Sequence, residues 1–376
     1  MHREGGSLMT EGIPKDLRMS GYQTAEHERN YGCRIREFIY REHRCVTIEN
    51  ELLRVLICAD KGADILEFVY KPIDLDFMWR SRLGLRRASH FRPSSPLETG
   101  HFREYFAGGW FEMLPNGPVP CTHRGATFGY HGEATLLPWE YEITSDEPER
   151  IEVRFTVRLM RIPLSVEKTM RLQSGSATLY LHERIVNEAE QPVEILLGHH
   201  PTFGPPFLAE NCRLYLPPCR VSVGDNIPPD ARIAPAQTSE WPFVKSRDGE
   251  LIDLSFLPGP EVKTHDFVQL EGLDSGWFAL VNPEREVGFA LRWDVEKFPV
   301  LGYWQLFRGG ADYPWYGMNY LAALEPASSL PSLADAVSRG KALTVTPGVP
   351  LETTIEATAF RKPLEVSSVD FGGNIS

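Results

Sequence analysis

Apolar and polar residues alternate strictly over residues 151–159. The apolar set is Ile151, Val153, Phe155, Val157 and Leu159, and the residues between them are Glu152, Arg154, Thr156 and Arg158. A period of two places the first set on one face of a β-strand and the second set on the other. The runs ATLYLHERIV, after the turn Ser174-Gly175-Ser176, and QPVEILLG are typical of further strands. Three long strands at this spacing predict a meander within a large antiparallel sandwich.

The rest of the chain also favours strands over helices. Strand patterns begin at residues 45–71, whereas residues 72–107 indicate long loops with short strands. Only residues 329–339 have a helical pattern, and 30 prolines and 31 glycines supply turns. The predicted fold class is therefore all-β, a large antiparallel β-supersandwich with very little helix. The expected organisation is a polar arm over 1–30, one β-supersandwich domain over 31–365 and a tail over 366–376.

Composition and charge narrow the choice of partner. With 42% hydrophobic and 24% charged residues, the chain can bury a large core. Its formal net charge of −12 repels nucleic acid and anionic lipid, and no basic run offsets that repulsion, so we expect no nucleic-acid or membrane partner. A neutral small-molecule or sugar substrate fits this balance better than a polyanion, and we expect a monomer or a homodimer.

Motifs for cofactors and targeting are not found in the sequence. The six cysteines lack metal-ligand spacing, and no Rossmann or P-loop glycine pattern occurs, so we expect no metal and no cofactor. The first thirty residues contain no apolar signal-peptide region, and no run of about 18 apolar residues is present. Scattered cysteines favour a reducing compartment, and the expected location is cytoplasmic.

Four segments combine Gly, Pro, aromatic and titratable residues in short spans. They are GGWFEMLPNGP (108–118), YHGEATLLPWEYE (130–142), LLGHHPTFGPPF (196–207) and YWQLFRGGADYPWYGMNYLAALEP (303–326). Aromatic rings stack on the C–H faces of pyranoses, while amides, carboxylates and imidazoles hydrogen-bond to hydroxyl groups. These segments therefore indicate a sugar site.

The order of these segments resembles that of the aldose 1-epimerase (galactose mutarotase-like) superfamily over residues 45–360, and most of all its bacterial aldose-1-epimerase-like branch. NEAEQPVEILLGHHPTF resembles the stretch that ends in Asn-His-x-Tyr-Phe and contains the general acid. YHGEATLLPWEYE resembles the His-Gly element with a substrate-binding His, and YLAALEP resembles the strand that contains the general base. LTVTPGVPLETTIEATAF resembles the closing strands of the family.

The resemblance implies that His200 is the general acid and Glu325 the general base. Aligning Phe203 with the family's Phe selects His200 over His199, which stands where the family has Asn. The expected substrate-binding residues are His131, Glu133, Trp110, Asn116, His199, Gln305 and Trp315. The family's sugar-binding Arg has no clean match among Arg80, Arg86, Arg87 and Arg103, and its Asp segment corresponds at best to Thr264-His265-Asp266-Phe267.

Residue types alone leave a structural alternative for each candidate. His199 and His200 are adjacent on a strand, so only one of them can face a cleft, and both could simply cap the strand. Glu325 lies in the apolar run LAALEP, where an unpaired carboxyl would have its pKa raised and a paired one would bind an arginine. The alternatives for the remaining candidates are a turn histidine at His131, a turn former at Asn116 and core aromatics at Trp110 and Trp315.

Mutarotation suits a His/Glu pair, because ring opening removes the anomeric hydroxyl proton while the ring oxygen is protonated. A carboxylate suits the base and an imidazolium with a pKa near neutrality suits the acid, without a cofactor. Two other functions stay open. One is a non-catalytic carbohydrate-binding or sensing module on the same fold. The other is a glycoside lyase or hydrolase, although a hydrolase requires two carboxylates and the sequence offers one convincing candidate.

Overall fold

The computed structural model describes residues 29–92 and 98–376. The first thirteen strands are β1 (Arg34–Tyr40), β2 (His43–Glu49), β3 (Leu53–Cys58), β4 (Asp64–Tyr70), β5 (Leu75–Asp76), β6 (Trp110–Met113), β7 (Cys121–His123), β8 (Ala126–Phe128), β9 (Glu140–Asp146), β10 (Arg150–Arg158), β11 (Leu164–Gln173), β12 (Thr178–Asn187) and β13 (Val193–Ile195). The others are β14 (Gly198–Phe203), β15 (Arg213–Tyr215), β16 (Arg220–Val223), β17 (Gln237–Glu240), β18 (Phe243–Lys245), β19 (Leu251–Asp253), β20 (Thr264–Glu271), β21 (Trp277–Asn282), β22 (Val287–Trp293), β23 (Val300–Phe307), β24 (Tyr320–Ala327), β25 (Leu343–Val345) and β26 (Leu351–Phe360). The α-helices are α1 (Glu98–Arg103) and α2 (Leu333–Ser338).

The larger sheet has twelve strands and contains most of the candidate site. Its order is β1-β2-β3-β4-β6-β14-β24-β23-β20-β16-β17, and β5 pairs with β4. The strands β6, β14, β24 and β23 lie side by side in its middle, and their mutual pairing is antiparallel. This order brings together three of the four segments that the sequence singles out, although they are far apart along the chain.

The second sheet has eight strands in the order β15-β21-β22-β26-β12-β11-β10-β9. Aromatic side chains from the two sheets meet in the core. The ring centroid of Phe289 on β22 lies 5.2 Å from that of Phe68 on β4 and 5.0 Å from that of Phe203 on β14. Two large antiparallel sheets packed face to face confirm the predicted all-β supersandwich.

The predicted meander is right in two of its three strands. The alternation over 151–159 and the run ATLYLHERIV form β10 and β12. The run QPVEILLG does not join them, because its strand β13 pairs with β25 outside the two large sheets. The third strand of the meander is β11, which pairs with both β10 and β12. Its period is hidden in the sequence because the buried set includes a charged residue, Lys168, between Val166 and Met170.

Helix is as scarce as predicted. Helix α2 lies inside the predicted helical segment and begins after Ser332, whose hydroxyl oxygen accepts a hydrogen bond from the Asp335 N–H at 3.2 Å. Neither helix in the described residues has the length and apolar character that a bilayer span requires. The predicted arm over 1–30 lies almost entirely outside the described residues, and in the tail Val366 and Val369 are buried beside Trp277.

Candidate active site

Three neighbouring strands of the larger sheet place His200 beside Glu325. In the pairing of β14 with β24, Thr202 is opposite Ala323, and this register sets His200 opposite Glu325. On the other side of β14, His200 pairs with Phe111 of β6. Paired residues project from the same face of a sheet. The side chains of His200, Glu325 and Phe111 therefore meet on one face.

His200 and Glu325 are in direct contact and are both buried. The Nε2 atom of His200 lies 3.2 Å from Oε1 of Glu325. The Thr202 hydroxyl donates to the His200 carbonyl at 3.4 Å, so its oxygen is free to accept from Nδ1–H of the same histidine at 3.0 Å. This arrangement leaves the Nε2 lone pair facing Glu325. The imidazole stacks on Phe111 with the ring centroids 4.4 Å apart, which fixes its plane.

Burial sets the protonation of the pair. Desolvation raises the pKa of Glu325 to about 8 and lowers the pKa of His200 to about 3. At neutral pH the site therefore holds one proton, on the Glu325 carboxyl beside the neutral His200 ring. The raised pKa of Glu325 is the direction that its apolar sequence neighbours predict. The near-neutral pKa expected of His200 is not found, because rings from other segments exclude water from it.

His131 lies next to the pair on a strained turn. Its ring centroid is 5.2 Å from that of His200 and 4.6 Å from that of Phe102. Its φ of 58° is in the left-handed region, which a residue with a Cβ adopts at a cost, and its N–H donates to the Gly117 carbonyl at 2.8 Å. Burial, followed by His200 and Arg103, holds the pKa of His131 well below its usual range. The ring is thus neutral and available for hydrogen bonds.

Aromatic rings surround His200 beyond these contacts. Phe106 and Trp304 have centroids 6.2 Å and 6.0 Å from that of His200. Trp315 lies 5.2 Å from Trp304 and 6.5 Å from Trp79. Such rings can stack on the apolar face of a sugar. Trp315, a predicted substrate-binding residue, therefore lies within this aromatic group.

His199 and Trp110 lie on the opposite face, between the two sheets. The Trp110 indole N–H donates to Nδ1 of His199 at 3.2 Å, so the proton of the neutral ring is on Nε2. That N–H faces Oε2 of Glu183 at 3.2 Å, and the Thr353 hydroxyl donates to the same oxygen at 3.0 Å. Burial lowers the pKa of His199 to about 4. The structure therefore places these two predicted substrate-binding residues in an interior network, away from His200.

A buried lysine completes this interior network. The Nζ of Lys168 lies 2.6 Å from Oε1 of Glu112, and it donates to the carbonyls of Gly62 at 3.3 Å and Ala63 at 3.2 Å. Burial and the neighbouring Glu183 raise the pKa of Glu112 to about 8. Lys168 supplies the positive charge that balances this acidic cluster.

The same residues have ligand atoms close enough together for a metal ion. One atom each from Glu112, Glu183 and His199 lies within 4.8 Å of the others. The hydrogen bond from Trp110, however, requires the His199 proton to be on Nε2, which leaves no lone pair there for a metal. Lys168 already supplies a cation at Glu112. These contacts favour a hydrogen-bonded network over a metal centre.

Two more predicted substrate-binding residues hold loops. Asn116 is fully buried, and its side-chain N–H groups donate to the carbonyls of Val119 and Gly129 at 2.9 Å each. Glu133 accepts a hydrogen bond from the Arg161 backbone N–H at 2.9 Å. Their polar groups therefore have protein partners away from His200.

Gln305 lies on the other side of β23 from Trp304. Its Oε1 accepts from Nη2 of Arg232 at 2.6 Å, and Nε of Arg232 is bound to Asp266 at 2.7 Å. Asp266 belongs to the segment that the sequence offers for the family's Asp, and the structure places it in this ion pair.

Sequence reasoning missed several residues that lie around the pair. Thr202 and Trp304 lie in segments that the sequence singled out. Thr202 follows His200 by two residues on β14, and Trp304 follows Gly302, the residue opposite Glu325, by two residues on β23. Alternation along a strand could have identified them. Phe102 and Phe106 lie in the loop region 72–107, where no period indicates which residues point inward.

The comparisons with known proteins agree with this architecture. A family model described as a domain of unknown function (DUF4432) matches residues 41–358. No curated protein matches the chain. Among solved structures, a Klebsiella pneumoniae protein provisionally named an aldose 1-epimerase has a TM-score of 0.67, 17% identity and 87% coverage of each chain.

Two further structures carry related names. A galactose mutarotase-like protein from Clostridium acetobutylicum has a TM-score of 0.60 and 14% identity, and the match covers 88% of this chain and 99% of that one. A galactose mutarotase related enzyme from Lactobacillus acidophilus has a TM-score of 0.57 and 18% identity, with 84% and 97% covered. At such identities the likeness shows the fold. The fold that the sequence resemblance implies is thereby confirmed.

Proposed function

The chain belongs to the DUF4432 family, and from its site we propose that it is a carbohydrate-active isomerase of the aldose 1-epimerase type. It would interconvert the α and β anomers of an aldose or modified aldose. The observation that carries the proposal is the contact of His200 Nε2 with Glu325 Oε1 at 3.2 Å on a sheet face surrounded by aromatic rings. Solved structures named as aldose 1-epimerase or mutarotase relatives share the fold and support the same activity class.

The proton held by the pair is sufficient for a complete reaction. Glu325 gives its proton to the ring oxygen as the C1–O5 bond breaks, and Nε2 of His200 takes the proton of the anomeric hydroxyl. The products are an open-chain aldehyde and an imidazolium–carboxylate pair. After rotation about C1–C2, the imidazolium protonates the aldehyde oxygen while the carboxylate deprotonates O5 and the ring closes.

In this cycle each residue of the pair acts once as the acid and once as the base. In the ring-closing step His200 is the acid and Glu325 the base, as the family resemblance implies. In the ring-opening step from the free site the roles are reversed, because burial places the resting proton on Glu325. Every proton taken from the sugar is returned, so the pair needs no cofactor, and each group contributes about 10²–10⁴-fold in rate.

The pH dependence of turnover follows from the pair's proton count. Turnover requires one proton on the pair, so we expect a constant rate from mildly acidic pH up to about 8, where Glu325 ionises. Above that pH the rate should fall about tenfold per pH unit. A solvent-exposed His/Glu pair with ordinary pKa values would instead lose activity above about pH 6.5. The measurement is NMR exchange between anomers at pH 5.5 to 9.5, and a decline that begins near neutrality would contradict the neutral resting pair.

The position of Glu325 depends on Gly302, the residue opposite it on β23. A Cβ at Gly302 would lie 3.2 Å from the Glu325 Cβ and 3.3 Å from its Oε2, so Gly302→Ala should push the carboxyl aside. We expect turnover to fall about tenfold, as small displacements of an acid–base group typically cost this much or more. The matched control is Gly224→Ala, where an added Cβ has nothing within 4 Å. Equal turnover in the two variants would show that the carboxyl's position is not critical.

The direct test of the function is anomer interconversion by polarimetry or NMR exchange over a panel of monosaccharides. We expect wild-type protein to accelerate interconversion of at least one sugar and Glu325→Gln to abolish the acceleration. Sugar binding without turnover would favour a carbohydrate-binding or sensing module on the same fold. Release of a new reducing end would favour a glycoside lyase or hydrolase. A hydrolase would place two carboxyl groups across the bond, and in the described part of the chain the contact at His200 involves one carboxyl.

A further inference from the structure

Arg103, the last residue of α1, lies close to the proposed sugar site and has no acidic partner among the described residues. Its Nη2 donates to the Tyr130 hydroxyl at 2.9 Å, and its guanidinium carbon lies 4.8 Å from the centre of the Tyr130 ring. Across residues 29–92 and 98–376 it forms no ion pair with a carboxylate. A guanidinium has more N–H donors than the hydrogen bond to Tyr130 uses. Arg103 is also only partly buried, so a ligand can approach it from solvent.

A short series of ring contacts connects Arg103 to the acid–base pair. The Tyr130 ring centroid lies 5.4 Å from that of His131, which in turn lies 5.2 Å from that of His200. Arg103 also affects the titration of residues near the pair. After burial, it is among the charges that lower the pKa of His131 and of His265, whose ring lies 6.0 Å from Trp304. The rings of Tyr130 and His131 therefore connect Arg103 to the acid–base pair, and Arg103 does not lie on a remote surface.

The charge of Arg103 is not balanced by the groups of the site itself. Burial keeps Glu325 protonated and leaves His131 and His200 neutral at neutral pH. The net charge of −12 repels anions at long range, so an anionic ligand would need a local cation for recognition. A neutral sugar would leave the guanidinium without a charged partner. A carboxylate or phosphate would bind it with two parallel hydrogen bonds.

We propose that the substrate is an aldose that carries an anionic oxygen group, a carboxylate or a phosphate, and that Arg103 binds this group. The inference rests on the proposed function and specifies its substrate class. In a pyranose, C5 and C1 are both bonded to the ring oxygen. A carboxylate on C5, or a phosphate on the adjoining C6, would extend from the side of the ring at which Glu325 meets O5.

The test compares anomer interconversion of neutral and anionic sugars with the same ring. The probes are glucose and galactose, their hexuronates, and glucose 6-phosphate, so the arms separate carboxylate from phosphate recognition. We expect kcat/KM to be at least about tenfold higher for one anionic class than for its neutral parent. In Arg103→Gln this preference should disappear, through a rise in KM for the anionic sugar towards that of its neutral parent. Arg103→Lys should keep part of it, because a lysine supplies charge without the planar fork.

The matched control is Arg213→Gln, since Arg213 also lies over an aromatic ring, 4.3 Å from the centre of Phe256, but belongs to the second sheet. It should keep the full preference. Equal or better turnover of neutral sugars by wild-type protein would overturn the inference while leaving the proposed function intact. A preference that survives Arg103→Gln would overturn the role of Arg103. If no sugar is turned over, calorimetric binding of an anionic sugar that Arg103→Gln abolishes would still support anion recognition, and no binding would refute it.

Discussion

Glu325→Gln is expected to reduce anomer interconversion at least about 10²-fold while leaving the KM for the sugar within a few-fold of wild type. The amide has the size of the carboxyl and can donate to Nε2 of His200, but it can neither give nor take the proton that ring opening requires. The lost interaction belongs to the transition state, so kcat falls and binding is kept. NMR exchange at saturating sugar measures the effect, and near-normal interconversion would rule out Glu325 as a catalytic residue.

The histidines provide the comparison for this variant. His200→Asn should lower turnover as much as Glu325→Gln, and the double variant should be little worse than either, because the two groups act as a unit. His199→Asn should cost much less turnover, since His199 contacts Glu183 on the opposite face of β14. Its effect should be on stability instead. An equal loss of turnover in His199→Asn and His200→Asn would contradict the assignment of the acid–base pair to one face.

Stability offers a second readout for Glu325→Gln. The folded protein keeps the Glu325 proton up to about pH 8, whereas the unfolded chain loses it near the ordinary value of 4.5. The stabilisation is therefore complete below about pH 4.5 and is lost as the pH rises towards 8, by up to about 1.4 kcal/mol per pH unit. Glu325→Gln removes this dependence. Relative to wild type, the variant should gain unfolding free energy between pH 5 and 8 as it loses turnover.

The fold could be predicted wherever burial left a simple period in the sequence. β10 alternates without a break, and its interior side chains are those that the period indicates. β11 has the same pattern of burial, but Lys168 is one of its buried residues. Because a charged residue usually lies on the exposed face of a strand, the sequence does not show the period of β11. QPVEILLG has the composition of a strand, yet pairing with β25 rather than the meander depends on contacts distant in sequence.

At the site, residue types in the sequence identified candidate residues, but the sequence did not predict their protonation states. Glu325 could be singled out because a charged residue in an apolar run needs an explanation, and the alternation of β14 implied that only one of the adjacent histidines faces a cleft. The pKa of His200 could not be predicted, since it depends on burial by rings from separate segments, among them Phe106, Phe111 and Trp304. Arg103 was one of four arginines that the sequence could not distinguish.

The interior lysine gives the prediction with the largest expected effect on stability. The Lys168 side chain is 3% exposed, and its Nζ lies 2.6 Å from Oε1 of Glu112. The same Nζ lies over the face of the Trp139 ring, 4.6 Å from its centre. Lys168→Met would leave an unbalanced negative charge on Glu112 and Glu183 between the two sheets. Removing one partner of a buried ion pair typically costs about 3–5 kcal/mol. Urea unfolding at pH 7 should show a loss of that order, and a loss below about 1 kcal/mol would contradict the charge balance described for this network.

Lys168→Met combined with Glu112→Leu should recover most of this loss. The double substitution removes the lysine cation together with its nearest carboxyl group and fills their volume with apolar atoms, which is often neutral for stability, while Glu183 keeps its hydrogen bonds with His199 and Thr353. Arg158→Met is the matched surface control, because Arg158 pairs with Glu188 at side-chain exposures of 75% and 39% and should contribute less than about 1 kcal/mol. Since Glu112 is adjacent to Phe111 on β6, turnover in the double variant shows whether the network also holds the strand that stacks on His200. If the double variant is as unstable as Lys168→Met alone, the loss comes from packing of the lysine stem rather than from an uncompensated charge.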